Sequence, residues 1–133
     1  MNQKDLYLVR GLPGAGKTTL SKSLMKEGDL VIAADDFMID EKGEYVFDAS
    51  RLQEVHDKCA KKVYEAMERG VARIFVHNTM TEQWEVESWY ALAKQHGYRV
   101  FSIVVENRHR GASSHGAPAE TMEAMRNRFE IEL

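Results

Sequence analysis

Apolar residues in this chain fall either in short unbroken runs or in stripes spaced three to four apart, and the two patterns alternate. Residues 6–10 form a short apolar run that enters a glycine-rich turn, as a strand would. A helix is expected over 17–26, with Leu20 and Leu24 four apart, and the wholly apolar run 30–33 suits a buried parallel strand. Ser50 stands where it would cap a helix over 51–69. Its Leu52, Val55, Cys59, Val63, Ala66 and Met67 make one apolar face, and Gly70 suits the stop. A third strand is expected over 72–77. Thr81 then caps a helix that runs to His96 and Gly97, and a fourth strand follows over 98–105. The polar loop 106–117 leads to Pro118 at the start of a last helix striped by Met122, Met125 and Phe129. Short apolar strands separated by helices imply an α/β fold, a small parallel sheet with helices on both faces. In such sheets ligands gather at the carboxyl ends of the strands.

Composition narrows the class. At 133 residues the chain is expected to be one domain over 1–133, without repeat, linker or low-complexity stretch. Its longest apolar runs are far too short to span a bilayer, and the N-terminus lacks the pattern of a secretory signal, so a cytoplasmic protein with no membrane contact is expected. Cys59 is the single cysteine and sits on an apolar helix face, which excludes an internal disulfide and suits an ordinary buried thiol. The formal net charge of −3 argues against a protein that coats nucleic acid. A local basic cleft remains compatible, because Arg108, His109, Arg110, Arg126 and Arg128 crowd the last quarter. Oligomeric state is left open.

The most specific signal is Gly11-Leu12-Pro13-Gly14-Ala15-Gly16-Lys17-Thr18, a full G-x-x-x-x-G-K-[ST] match with a strand before it and a helix after. Backbone N–H groups must wrap a polyanion with no Cβ in the way, which Gly11, Gly14 and Gly16 permit. Lys17 supplies positive charge to the β and γ oxygens, Thr18 offers a hydroxyl to Mg²⁺, and the helix N-terminus adds a favourable dipole, with Thr19 beside it. A nucleoside triphosphate with Mg²⁺ is therefore the expected ligand. The glycines run G-x-x-G-x-G, not G-x-G-x-x-G, so a hydride-transfer enzyme is disfavoured.

The partner chemistry comes from the next loop. Asp35-Asp36 lies just past the second strand, on the same sheet edge as the phosphate loop. Transfer of a phosphoryl group to an alcohol needs a carboxylate to take the hydroxyl proton, and Asp35 is the first candidate. Asp36 is the second, or a water-mediated Mg²⁺ contact. Either aspartate also has a local alternative, capping the following turn. Asn78 and Thr79, after the third strand, are candidates for binding the acceptor or the γ-phosphate, while His77 reads more readily as structural. No apolar run ends in a Walker-B aspartate, so Mg²⁺ would rest on Thr18, phosphates and water. In the loop 106–117, Arg110 is the first candidate and Arg108 the second for an arginine that neutralises the transferring phosphoryl, against a solvated-loop alternative. His109 and His115 make only a weak metal signal. Trp84, Trp89 and Tyr90 read as helix packing and not as a base-stacking platform. His56 faces away from the apolar stripe and has no assigned role.

Taken together, the stretches RGLPGAGKTT (10–19), ADDF (34–37), VHDKC (55–59), VHNT (76–79) with Trp84-Glu85, HGAP (115–118) and MRNRFE (125–130) resemble the kinase domain of the polynucleotide 5′-kinase group. That group includes a phage end-healing kinase, the Nedd4-binding-protein branch and the phosphate-loop region of cyclic nucleotide phosphodiesterase relatives. The resemblance implies the three-layer P-loop NTPase kinase sandwich, ATP held by 11–18, Asp35 as general base, Arg110 as lid arginine, and phosphorylation of a hydroxyl on DNA or RNA, a 5′-OH end by default. It also exposes departures. Relatives often carry Asp at the position of His77 and Asn at that of Met80. The arginine often found just after the Asp pair is absent, with Met38 and Ile39 in that region; it helps grip the phosphate of a nucleic-acid end in relatives. A kinase of a hydroxymethylated base in DNA (5-hydroxymethyluracil), as in some phage, a nucleoside or sugar-nucleotide kinase of the zeta-toxin type, and a nucleotide-dependent switch without acceptor are the competing readings.

Overall fold

Four parallel strands form the sheet, in the order β2-β3-β1-β4. The computed structural model describes residues 3–108 and 119–131. β1 (Asp5–Arg10) is the inner strand on which the site is built: Leu6 and Leu8 are fully buried and pair in register with Ile74 and Val76 of β3 (Arg73–Val76). β4 (Arg99–Val104) flanks β1 on the other side along its whole length, and β2 (Leu30–Ile32) closes the opposite edge against β3.

The crossovers explain where the helices lie. From β1 the chain steps over β3 to β2 through α1 (Lys17–Leu24). From β2 to β3 through α2 (Leu52–Glu68), and from β3 to β4 through α3 (Gln83–His96), it steps the other way. Right-handed crossovers therefore place α2 and α3 on one face and α1 on the other. The α2–α3 face holds the core: Leu6, Leu8, Ile32, Ile74 and Val76 pack against Val55, Cys59, Val63, Val86 and Ala93. On the α1 face, Tyr7 stacks between Phe75 and Phe101 with centroids 4.6 and 5.3 Å apart. Arg99 locks β4 to β1 through a two-pronged pair with Asp5, at 2.7 and 3.1 Å, which holds the Asp5 carboxyl below the usual carboxylate range. The last element is α4 (Ala119–Arg128), whose Met122, Met125 and the following Phe129 are half-buried. Among the described residues no helix is long and apolar enough to cross a membrane.

Several local expectations are corrected. α1 stops at Leu24, two residues before the expected end at Lys26. β2 is an edge strand, so of its three apolar residues only Ile32 is buried. Asp48, not Ser50, organises the entry to α2: its carboxylate accepts from both the Ser50 N–H and hydroxyl, a local loop bond that outcompetes hydroxyl capping. Leu52, in the first turn of α2, is half-exposed and outside the core stripe. Thr81 is fully buried, and Glu82 precedes α3 without a side-chain cap; the Gln83 N–H is instead taken by the Glu130 carboxylate at 2.8 Å. Trp89 is core, as expected, but Trp84 is 67% exposed. Val86, Trp89 and Ala93 define the buried stripe of α3, and the 3.6-residue period puts Trp84 across the helix axis from it. Cys59 is fully buried, and burial pushes its thiol up to about 12, which makes it inert.

Because Leu8 is fully buried in the inner strand, Leu8→Ala should cost roughly 3 kcal/mol through lost transfer energy and a residual cavity. Urea unfolding monitored by far-UV circular dichroism should show a lowered midpoint at unchanged slope.

Candidate active site

The two crossovers that leave β1 and β3 run in opposite directions, so the carboxyl ends of these neighbouring strands flank the point where the sheet order reverses. A crevice opens there in α/β folds. The loop after β1 carries 11–18, and the stretch after β3 carries His77, Asn78 and Thr79. Gly11 N–H donates to the Thr79 carbonyl at 3.3 Å, which ties the two loops at their roots. A Cβ at Gly11 would stand 2.8 Å from the Val105 carbonyl, a backbone atom that cannot swing aside, so only glycine fits. Gly16, which opens α1, has φ 102°, a left-handed conformation that glycine adopts without penalty. Lys17 folds back over this loop, donating to the carbonyls of Gly11 and Leu12 at 2.8 and 2.9 Å. Burial pushes its ammonium down from 10.5 to about 8, and the charge of Asp35 pulls it back up. Lys17 is thus still a cation at neutral pH, incompletely compensated and directed at the loop that would hold an anion.

Asp35 and Asp36 sit in a single 3₁₀ turn, Ala34–Phe37, after β2. They divide the work. Asp36 accepts from the Ala33 N–H at 2.9 Å and closes its own turn. Asp35 is exposed in the turn after β2, and its charge is felt by Lys17, Tyr45 and His77. Asn78 is buried and its Oδ1 accepts from the Ala34 N–H at 2.9 Å, so it holds the aspartate turn against the end of β3. Thr79 is half-buried, and its carbonyl accepts from Gly11.

His77 enters the site more closely than the sequence suggests. It is buried, and Nδ1 lies 3.4 Å from the Thr18 hydroxyl. Burial lowers its pKa, with Asp36 opposing, so the imidazole facing Thr18 is neutral at neutral pH. No group of three or more His, Cys, Asp or Glu side chains among the described residues is arranged to hold a metal. A Mg²⁺ bound here would rest in its water-rich form on the Thr18 hydroxyl, triphosphate oxygens and solvent.

Arg108, the second candidate for the lid arginine, is exposed and paired with Glu106 at 2.5 Å. Arg110, with His109, His115 and Pro118, lies outside the described residues. His56 is exposed on α2, as its place off the apolar stripe implies. Met38, in the region where relatives often carry an arginine, is fully buried and faces the core. Arg51 comes in from the loop before α2 instead, donating to the carbonyls of Ile39 and Phe37 at 2.7 and 3.2 Å. With Ile39, Asp40, Glu41 and Lys42 it lines an open cleft of about 600 Å³ next to the aspartate turn.

Sequence reading also passed over Arg10, Tyr45 and Arg51. For Arg10 the signal was available. Strand alternation puts residues 6, 8 and 10 on one face, so a cation shares the core side with Leu6 and Leu8. Tyr45 and Arg51 reach the site through the folding-back of the chain after Phe37, where Ile39 bridges Tyr45, and short-range pattern carries no sign of that.

Comparison with known proteins agrees with this architecture. Residues 6–131 match the model of a family described as an AAA domain. Human NEDD4-binding protein 2 is 34% identical over 97 residues, covering 71% of this chain and 5% of its own length. Two structures of the Pnkp1/Rnl/Hen1 complex, one described as an RNA repair complex, superpose with TM-score 0.65 at 13% and 12% identity. They cover 100% and 94% of this chain and 41% and 37% of theirs. Chaetomium thermophilum Kti12 in complex with ADP-AlF3 gives TM-score 0.53 at 17% identity, covering 95% of this chain and 80% of that one. This chain therefore spans a small part of NEDD4-binding protein 2 and less than half of the Pnkp1-complex chains. On the family match the chain belongs to the AAA domain family, and its four-stranded parallel sheet has the fold of P-loop kinases.

Proposed function

We propose that this protein is an ATP-dependent phosphotransferase that moves the γ-phosphate of ATP onto a hydroxyl of nucleic acid, a 5′-OH end of DNA or RNA first among acceptors. The observation that carries this reading is the facing of Lys17 and Asp35 across one sheet rim: a desolvated cation inside a glycine cradle, and an exposed carboxylate whose charge reaches it. A nucleotide switch has no use for that second group. The superposition on Kti12 with ADP-AlF3 supports nucleotide binding, and the likeness to a chain of an RNA repair complex supports a nucleic-acid acceptor. The whole chain, 1–133, is taken as one kinase domain, with 106–117 as its arginine-bearing lid.

In this reading the loop 11–18 with Thr19 receives the triphosphate, through backbone N–H groups such as those of Gly14, Gly16, Lys17, Thr18 and Thr19, and the helix dipole of α1 favours it. Lys17 leaves the Gly11 and Leu12 carbonyls for the β and γ oxygens. Mg²⁺, when bound, offsets charge on the phosphates. The acceptor hydroxyl gives its proton to the Asp35 carboxylate as its oxygen forms a bond to the γ-phosphorus and the bond to the β–γ bridging oxygen breaks, releasing ADP. Asn78 holds the aspartate turn in place, and Asp36 and Thr79 border the acceptor side. Arg110 would neutralise the transferring group, as the family resemblance implies.

One observation favours a second acceptor. Met38 turns into the core, so the cation that grips an end phosphate in relatives has no counterpart there. A hydroxymethylated base within DNA needs no such grip, and 5-hydroxymethyluracil DNA is the alternative.

The test is transfer from γ-labelled ATP to 5′-OH DNA, 5′-OH RNA, hydroxymethyluracil DNA and free nucleosides. Lys17→Ala should abolish transfer to every acceptor. Asp35→Asn should leave ADP affinity nearly intact while lowering kcat by roughly 10²–10⁴; an unchanged kcat would remove Asp35 as base. The nucleotide-free protein should also report Lys17 by its pH dependence. With a folded pKa of about 8 below the ordinary 10.5, the unfolded chain binds more protons in between, so stability rises with pH across that window. Denaturant midpoints of the wild type should therefore climb relative to Lys17→Met as pH rises from about 8 toward 10.5, and a pH-independent difference would contradict the desolvated lysine.

A further inference from the structure

Arg10 is 2% exposed and the largest fully buried side chain among the described residues, where its hydrogen bonds all go to main chain. Nε and Nη2 donate to the Met80 carbonyl at 2.9 and 2.7 Å, and Nη2 donates to the Glu130 carbonyl at 2.6 Å. The guanidinium lies over the Phe129 ring, 5.1 Å from its centroid. Removing a cation from water costs several kcal/mol unless its donors are met; here carbonyls meet them, with the charges of Glu85 and Glu130 helping. What the fork holds is correspondingly specific.

Three pieces of chain meet at this residue. Its own backbone precedes Gly11, and its carbonyl accepts from the Val105 N–H at 2.7 Å. Met80 follows the His77-Asn78-Thr79 stretch and is the one non-glycine residue among those described with positive φ, at 44°. A left-handed conformation is disfavoured for a side chain of this kind, by about 1–2 kcal/mol, so the surroundings must impose it. They do: Met80 is buried, and both donors of the Arg10 fork fix its carbonyl. The third piece is the segment after α4. Glu130 takes the Arg10 bond at its carbonyl, donates its N–H to the Thr81 carbonyl at 2.5 Å and accepts from the Gln83 N–H through its carboxylate. Arg128 adds a bond to the Thr81 hydroxyl at 3.0 Å.

We propose that Arg10 is a positioning residue for phosphoryl transfer: its buried fork fixes the loop after β3 and the segment after α4 against the root of the phosphate cradle, and so sets the acceptor side relative to the donor phosphate. The proposal rests on the kinase reading above. Arg10 touches neither nucleotide nor acceptor. Its effect runs through the Met80 peptide, which aims Asn78 and Thr79, and through Phe129 and Glu130. Arg10→Lys keeps the charge but replaces a planar fork with a point donor, which cannot serve the Met80 and Glu130 carbonyls in the same geometry.

Arg10→Lys should bind Mg-ADP within about threefold of wild type, since the cradle itself is intact, while kcat for hydroxyl phosphorylation falls roughly 10- to 100-fold from misplacement of the acceptor side. Amide exchange should quicken about tenfold at 78–81 and 119–130, and not in α2. Phe129→Leu, which removes the ring beneath the guanidinium but keeps an apolar side chain, should move both readouts the same way by less; it decides the matter if Arg10→Lys does not fold. Loss of ADP affinity in parallel with kcat, or exchange that stays at the wild-type rate in those two stretches, would overturn the proposal. Should the wild type transfer phosphate to no acceptor, the kinase reading fails by itself, and the exchange pattern still tells whether Arg10 holds the two segments.

Discussion

Close approach of backbone to backbone at the root of the phosphate loop is the constraint on which the site depends. Gly11 lies where β1 ends, with the Val105 carbonyl 2.8 Å from any Cβ it might carry and the Thr79 carbonyl bonded to its N–H. The end of β4, the end of β3 and the start of the cradle are thereby held together without intervening side chains. Everything that would act on a phosphate is referred to that junction: Lys17 curls over it, Thr18 meets His77 beside it, and Asn78 links it to the aspartate turn. Arg10 closes the same junction from the core side.

The electrostatics follow from the same packing. A lysine in water has no need of a partner; this one is desolvated enough to lower its pKa, with carbonyls taking its hydrogen bonds and the charge of Asp35 offsetting part of the loss. Such a group gains from an arriving polyanion because the cost of its burial is already met by the fold. The His77 imidazole facing Thr18 is neutral, so it adds no charge at the cradle. Negative charge is instead concentrated across the rim, on Asp35 and Asp36, where a hydroxyl proton would be received.

How much of this was legible in the sequence follows from the range of each interaction. Strand and helix order, the strand-turn-helix around 11–18 and the buried stripe of α2 from Val55 onward come from local period and a contiguous motif, and the fold reproduces them. The errors lie where a distant group outcompetes a local one. Thr81 is a plausible helix cap by neighbourhood, yet Glu130 takes the Gln83 N–H from the far end of the chain. Ser50 loses its capping role to Asp48 two residues earlier. Trp84 sits among aromatic residues in sequence but on the wrong side of α3 for the core. Arg10 reads as part of a motif until alternation along β1 places it beside Leu8.

The central claim is that the cradle and an acidic side chain across the same rim bracket one transferring phosphate. A crystal structure with ADP, an aluminium fluoride mimic of the γ-phosphoryl, Mg²⁺ and a 5′-OH oligonucleotide measures that directly. The expected result is an Asp35 carboxylate oxygen roughly 2.6–3.2 Å from the acceptor hydroxyl, with that hydroxyl in line with the fluoride and the ADP leaving oxygen. A complex in which Lys17 grips the nucleotide but Asp35 stands away from the acceptor, with another group or none at the hydroxyl, would contradict it.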